Sequence, residues 1–136
     1  MYNPLTLAFL GDGVYELLVR NALIRDHGSL PASKLHSLTV QLVRASAQAQ
    51  VYDTIYETVS QQEQDILRRG RNSSSTKCPK NADPAEYRKA TGVEALFGYL
   101  YLKRDEERIR ELFCQVYHDI LKADQLQAVK PKPKKI

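Results

Sequence analysis

The sequence predicts an all-α fold built as a helical bundle. Apolar residues recur at three- and four-residue spacing through every long segment. No segment sustains the apolar–polar alternation of a half-buried strand. The breaks between segments carry residues that start and stop helices.

The first helix is expected over about residues 5–26, with Leu7, Leu10, Val14, Leu17, Leu18 and Ile24 on one broad face and Gly28 as its stop. A second helical region opens at Pro31, where a missing N–H costs little, and bends or breaks near residues 45–50. Ser60-Gln-Gln-Glu63 is a capping box that opens a short helix ending near Gly70. Residues 71–82 are rich in turn formers and read as a loop. Asp83-Pro84-Ala-Glu86 starts the next helix, which runs to about Lys103. Asp105 restarts the chain, with Glu106 and Glu107 in the first turn and a stripe from Ile109 through Leu112, Phe113 and Val116 to Leu121. Residues 1–125 are read as one domain and residues 126–136 as a disordered basic tail.

A chain of 136 residues holds one core, and 43% hydrophobic with 26% charged residues is ordinary globular composition. No stretch is apolar for the length of a membrane span, and the first residues lack a signal peptide's basic start and apolar run. The expected compartment is the cytoplasm. Cys78 and Cys114 read as reduced structural thiols, and the scattered Cys and His do not assemble a zinc site.

The chain carries 20 basic against 16 acidic residues, but Lys130, Lys132, Lys134 and Lys135 fall in the last seven. The remainder is balanced. Residues 68–89 nonetheless hold Arg68, Arg69, Arg71, Lys77, Lys80, Arg88 and Lys89 against only Asp83 and Glu86. Such a local surplus fits a polyanion contact, or a solvated charged loop.

Two places break helix rules. Asp12 stands between Gly11 and Gly13 in an apolar helix, and each glycine costs roughly 0.5–1 kcal/mol against alanine. Glu94 sits among Val93, Ala95, Leu96 and Phe97, with Gly98 one turn on. A glycine inside a buried helix lets a neighbouring backbone come close, so both acids lie beside points of tight helix packing. Two half-buried carboxylates from separate helices suit Mg2+, which takes one or two carboxylates and keeps several waters. A salt bridge to an arginine such as Arg88 would satisfy the same acids.

Leu7-Ala-Phe-Leu-Gly-Asp12-Gly-Val-Tyr resembles the ribonuclease III signature Glu-Phe-Leu-Gly-Asp-Ala/Ser-Val. Val93-Glu94-Ala-Leu-Phe-Gly-Tyr-Leu-Tyr-Leu resembles that family's second motif, Phe-Glu-Ala-Leu-Ile-Gly-Ala-Ile-Tyr-Leu. The segments Arg68-Arg-Gly-Arg-Asn72 and Pro79-Lys-Asn-Ala-Asp83 resemble the minimal branch, mini-ribonuclease III, which lacks the double-stranded-RNA-binding domain. The resemblance covers roughly residues 3–122.

It implies a ribonuclease III-like homodimer that cuts double-stranded RNA with Mg2+, leaving 5′-phosphate ends. Its substrate would be the paired ends of a large-subunit (23S) ribosomal RNA precursor. Asp12 and Glu94 fall on the metal-binding catalytic acids. Ala8 and Thr91 stand where the larger enzymes carry two more carboxylates, which leaves open a catalytically silent RNA- or ribosome-binding module. Glu16, one turn after Asp12, is a metal, dimer or supporting residue. For a duplex's minor groove and phosphates the matching side chains are Arg71, Asn72, Lys77, Lys80, Asn81 and Arg88. Residues 73–75 read as flexible serine filler and His36 as a surface residue. Tyr87, Tyr99, Tyr101 and Tyr117 read as core and interface, and Gly11, Gly13 and Gly98 as interface candidates.

Overall fold

A computed structural model of the chain describes residues 2–73 and 78–122. They form six α-helices and a closing π-helical turn: α1 Pro4–His27, α2 Ala32–Val43, α3 Ala45–Ile55, α4 Gln61–Ser73, α5 Pro84–Leu102, α6 Glu106–Val116 and the turn Tyr117–Leu121. No strand occurs among the described residues. The basic tail, residues 126–136, and Lys77 lie outside them.

The helix starts follow local chemistry. Asn3 accepts a hydrogen bond from the Leu5 N–H at 2.8 Å, Asp83 from Ala85 at 2.8 Å and Asp105 from Arg108 at 3.1 Å. The capping box forms reciprocally: Ser60 N–H donates to Glu63 at 3.0 Å and Glu63 N–H to the Ser60 hydroxyl at 3.2 Å. Glu63 does a second job, accepting two bonds from the Arg108 guanidinium at 2.8 and 2.9 Å and so tying α4 to α6. The expected break in the second helical region falls at Arg44, whose extended backbone (ψ 156°) separates α2 from α3. At the other end of α5, Arg104 turns the chain in the left-handed region (φ 61°). Asp105 N–H there bonds back to the Leu100 carbonyl at 3.0 Å.

Two expectations are corrected. Helix α4 does not end near Gly70 but runs to Ser73, so Arg71 and Asn72 are helical. Gly70 is a crossing point, where a Cβ would come within 2.7 Å of the Gly92 Cα, and is no stop signal. The buried face of α1 is turned from the expected one: Leu7 is buried and Val14 and Leu18 pack partly against the core, but the rest is displaced. Leu17 and Ile24 are 67% and 60% exposed, and α1 packs through Leu7, Gly11, Tyr15, Val19, Ala22 and Leu23 instead. Small residues on that face let the next helix approach its backbone.

That next helix is α5, the centre of the fold. Buried on nearly every side from Ala90 to Gly98, it packs against α1, α3 and α4. The stripe of α6 closes the core as expected, with Ile109, Leu112, Phe113 and Val116 buried. Tyr15, Phe97 and Phe113 meet edge to face there, at 5.3 to 6.5 Å between ring centres. Tyr117, in the π-helical turn, is buried and donates to Asp26 at 2.6 Å, joining the end of α6 to the end of α1.

Candidate active site

The close approach of α1 and α5 sets the site. A Cβ on Gly11 would overlap the main-chain carbonyl of Glu94, and a Cβ on Gly98 would overlap that of Leu7. The two backbones therefore touch, and the side chains of Asp12 and Glu94 share a hydrogen bond at the crossing. Gly11 and Gly98 thus serve an internal packing and are not free for a subunit interface, whereas Gly13 has open space around it.

The acids differ in setting. Glu94 is half-buried, as expected, but Asp12 is exposed. Its apolar neighbour Phe9 is itself 85% exposed, so apolar flanking residues here do not mean burial. Burial first, then the charge and hydrogen bond of Asp12, push the Glu94 carboxyl up to about 8, with the Gln48 amide working against the rise. Neither acid has a basic partner among the described residues, so the arginine salt bridge is not what satisfies them. Arg88 stands exposed on α5 and does not reach them.

The pair thus brings two carboxyl groups together without a cationic side chain among the described residues. Oxygen donors alone, one of them open to solvent, fit a hard divalent ion that keeps several waters. No third His, Cys, Asp or Glu completes a cluster among the described residues. Thr91 is buried and its hydroxyl donates to the Tyr87 carbonyl at 3.0 Å, while Ala8 offers no donor atom. Glu16 pairs with Arg20 at 3.4 Å.

The acids have a buried backing that sequence reasoning missed. Tyr15, 1% exposed, has a hydroxyl with no partner, and burial together with the Glu94 charge raises its pKa above the usual phenol range. Gln48 of α3 is 2% exposed and within hydrogen-bonding reach of Glu94. The only sequence signal was a glutamine between Ala47 and Ala49 in a helix with a buried face.

The basic segment is less free than its composition suggests. Arg68 pairs with Asp65, and Lys89 with Asp53 of α3 at 2.7 Å. Arg71 lies over the Tyr52 ring at 5.7 Å and donates to Asn72 at 3.3 Å. Lys80, Asn81 and Arg88 are exposed, at the connection into α5 and on its first turns. His36 is exposed as expected. Of the tyrosines, Tyr117 is core, Tyr99 accepts from Gln62 at 2.8 Å, and Tyr101 is 54% exposed.

Residues 5–105 match the ribonuclease III domain. The chain is 47% identical over 109 residues to the mini-ribonuclease 3 of Symbiobacterium thermophilum, covering 80% of this chain and 83% of that one. It is 46% identical over 120 residues to the mini-ribonuclease 3 of a Thermoanaerobacter species, covering 86% and 84%. A crystal structure of a Fusobacterium nucleatum protein superposes with a TM-score of 0.76 at 29% identity, over 86% of this chain and 93% of that one. The chain belongs to the ribonuclease III family, in its mini-ribonuclease III branch.

Proposed function

We propose that this endoribonuclease cuts double-stranded RNA as a Mg2+-dependent homodimer in the cytoplasm, maturing the paired ends of a large-subunit ribosomal RNA precursor. The observation that carries the reading is the Asp12–Glu94 pair, two interacting carboxyl groups with no cationic side chain among the described residues to compensate them. Bound there, Mg2+ would acidify a water and neutralise charge developing on the phosphate, leaving 5′-phosphate and 3′-hydroxyl ends. Asp12 supplies the exposed oxygens that a substrate phosphate can approach. Glu94 supplies the inner ones, fixed by the crossing of α1 and α5.

Cutting both strands calls for two sites related by two-fold symmetry. The uncovered face of α1 supports such a dimer. Leu5, Phe9, Leu17 and Ile24 are 45%, 85%, 67% and 60% exposed along it. Gly13 sits midway between Phe9 and Leu17 with nothing beside it, so two α1 helices crossing antiparallel there would lay Phe9 of one copy on Leu17 of the other. A cleft of about 370 Å3, with Val14, Leu17, Leu18, Tyr101 and Ile109 as its apolar lining and Glu106 and Arg110 as its charged lining, opens beside that face. RNA would be held through Arg71, Asn72, Lys77, Lys80, Asn81 and Arg88.

The test is incubation of the purified protein with a long RNA duplex and with a single-stranded RNA, each with and without Mg2+. Mg2+-dependent cutting of the duplex alone is the expected result. An intact duplex with Mg2+ present would sink the reading.

A further inference from the structure

Among the described residues the buried polar or charged side chains are Thr39, Gln48, Glu63 and Thr91. Thr39 and Thr91 donate to the carbonyls one turn back, and Glu63 is held by Arg108 and Ser60. Gln48 alone keeps a buried atom, Oε1, with no partner. A buried acceptor left bare costs about 1–3 kcal/mol, so its retention asks for a reason.

The orientation of the Gln48 amide is fixed. Its Nε2 donates to the Val43 carbonyl at 2.8 Å, across the break at Arg44 that strips this carbonyl of its helical partner. Turning the amide over would set two oxygens against each other. The same amide reaches the Glu94 carboxylate. Tyr15, three residues beyond Asp12 on α1, carries a second unpartnered buried polar atom and feels the Glu94 charge. Glu94 thus has two side-chain partners, exposed Asp12 on α1 and the buried Gln48 amide on α3.

We infer that Gln48 is a positioning residue, holding the Glu94 carboxylate in the orientation that a divalent cation needs, with its bare Oε1 kept as an acceptor for a water at the site. The inference rests on the reading of Asp12 and Glu94 as the metal-binding pair. Groups that orient metal ligands from behind are worth about 10- to 100-fold in metal affinity when removed. Gln48 reaches Glu94 from α3, so the break at Arg44 and the catalytic acid are parts of one arrangement.

The experiment measures Mn2+ binding to the RNA-free, full-length protein by electron paramagnetic resonance, alongside melting temperature and duplex cleavage. Gln48→Met should melt close to wild type, bind Mn2+ about 10- to 100-fold more weakly, and lose kcat while KM for duplex RNA holds. Raising Mg2+ should recover part of the lost rate. Mn2+ binding and kcat within twofold of wild type would overturn the inference. If Gln48→Met fails to fold, Gln48→Glu reads the same contact. A third carboxyl against Glu94 should lower the metal-free melting temperature, and Mn2+ should restore it by a larger margin than in wild type. An unchanged Mn2+ response would count against the inference. Asp12→Asn, run in parallel, separates the two levels. If it binds Mn2+ normally, the metal-site reading itself fails. If it loses Mn2+ while Gln48→Met does not, only the role of Gln48 falls.

Discussion

Gly11 lies flush against the peptide carbonyl of Glu94, so the backbone that carries one of the two paired acids is in contact with the residue preceding the other. Gly11→Ala must push α1 away from α5. Overpacking of this kind costs about 1–3 kcal/mol, and separating the two carboxylates should lower cleavage at least tenfold. Gly13→Ala is the control, since Gly13 touches nothing within its own chain and the family signature carries Ala or Ser there, which a dimer crossing at this point accommodates. It should melt no lower than wild type and keep its activity. Melting curves and duplex cleavage on both variants check the contrast.

Asp12→Asn and Glu94→Gln are each expected to abolish cleavage with little effect on folding or association. A variant retaining more than about a tenth of the rate, under ~1.4 kcal/mol of barrier, would remove that acid from the metal site.

Glu94 also gives a pH signature. Its carboxyl sits at about 8 in the folded protein against an ordinary 4.5, so the folded state keeps a proton that the unfolded chain releases. The stability from this group is fully present below pH 4.5 and is lost as pH rises toward 8. The metal-free protein should therefore melt progressively lower across that window, and Glu94→Gln should flatten the slope. Mg2+ should flatten it too, because the cation replaces the proton. Melting curves from pH 5 to 9, with and without chelator, decide it.

The exposed stripe on α1 predicts the assembly. Light scattering should give twice the 15.5 kDa chain mass at micromolar concentration. Phe9→Asp and Leu17→Asp should each give a monomer that at most nicks single strands. A wild-type monomer with full double-strand cutting would refute the dimer.

The basic segment separates binding from chemistry. Arg71→Ala, Lys77→Ala and Lys80→Ala together should raise KM for duplex RNA and reduce its salt slope by roughly 1–3 units. Single-turnover cleavage at saturating RNA should change far less. Deleting residues 130–136 should matter less than the triple substitution, since a flexible tail loses ordering entropy on binding. If the tail deletion costs more affinity in a salt titration, the RNA-binding surface has been assigned to the wrong part of the chain.

What the sequence makes legible is what local chemistry decides. Ser60, Asp83 and Asp105 announce helix starts because a cap is satisfied by groups two or three residues away. The end of α4 is not legible, because Gly70 is placed by Gly92 on another helix. The acids are legible as charges in apolar helices, yet which of them is buried depends on helix rotation. For α1 that rotation buries Gly11 and Ala22 beside Leu7, Tyr15 and Leu23 and leaves Leu17 and Ile24 outside. Gln48 is invisible to any reading of one helix at a time, since its meaning lies in a residue 46 positions away on α5.

The contact of α1 with α5 bears on when the site can open. Amide hydrogens in the most deeply packed helix exchange with solvent only when a whole domain unfolds, whereas the mobile parts of an enzyme exchange through local fluctuations. Residues 92–98 occupy the centre of that packing, so their amides should be among the slowest to exchange in the molecule. The cutting site would then be as long-lived as the fold itself. Adaptation to RNAs of different shape would fall to the surface that grips the duplex, and this enzyme could change its substrate without disturbing its acids.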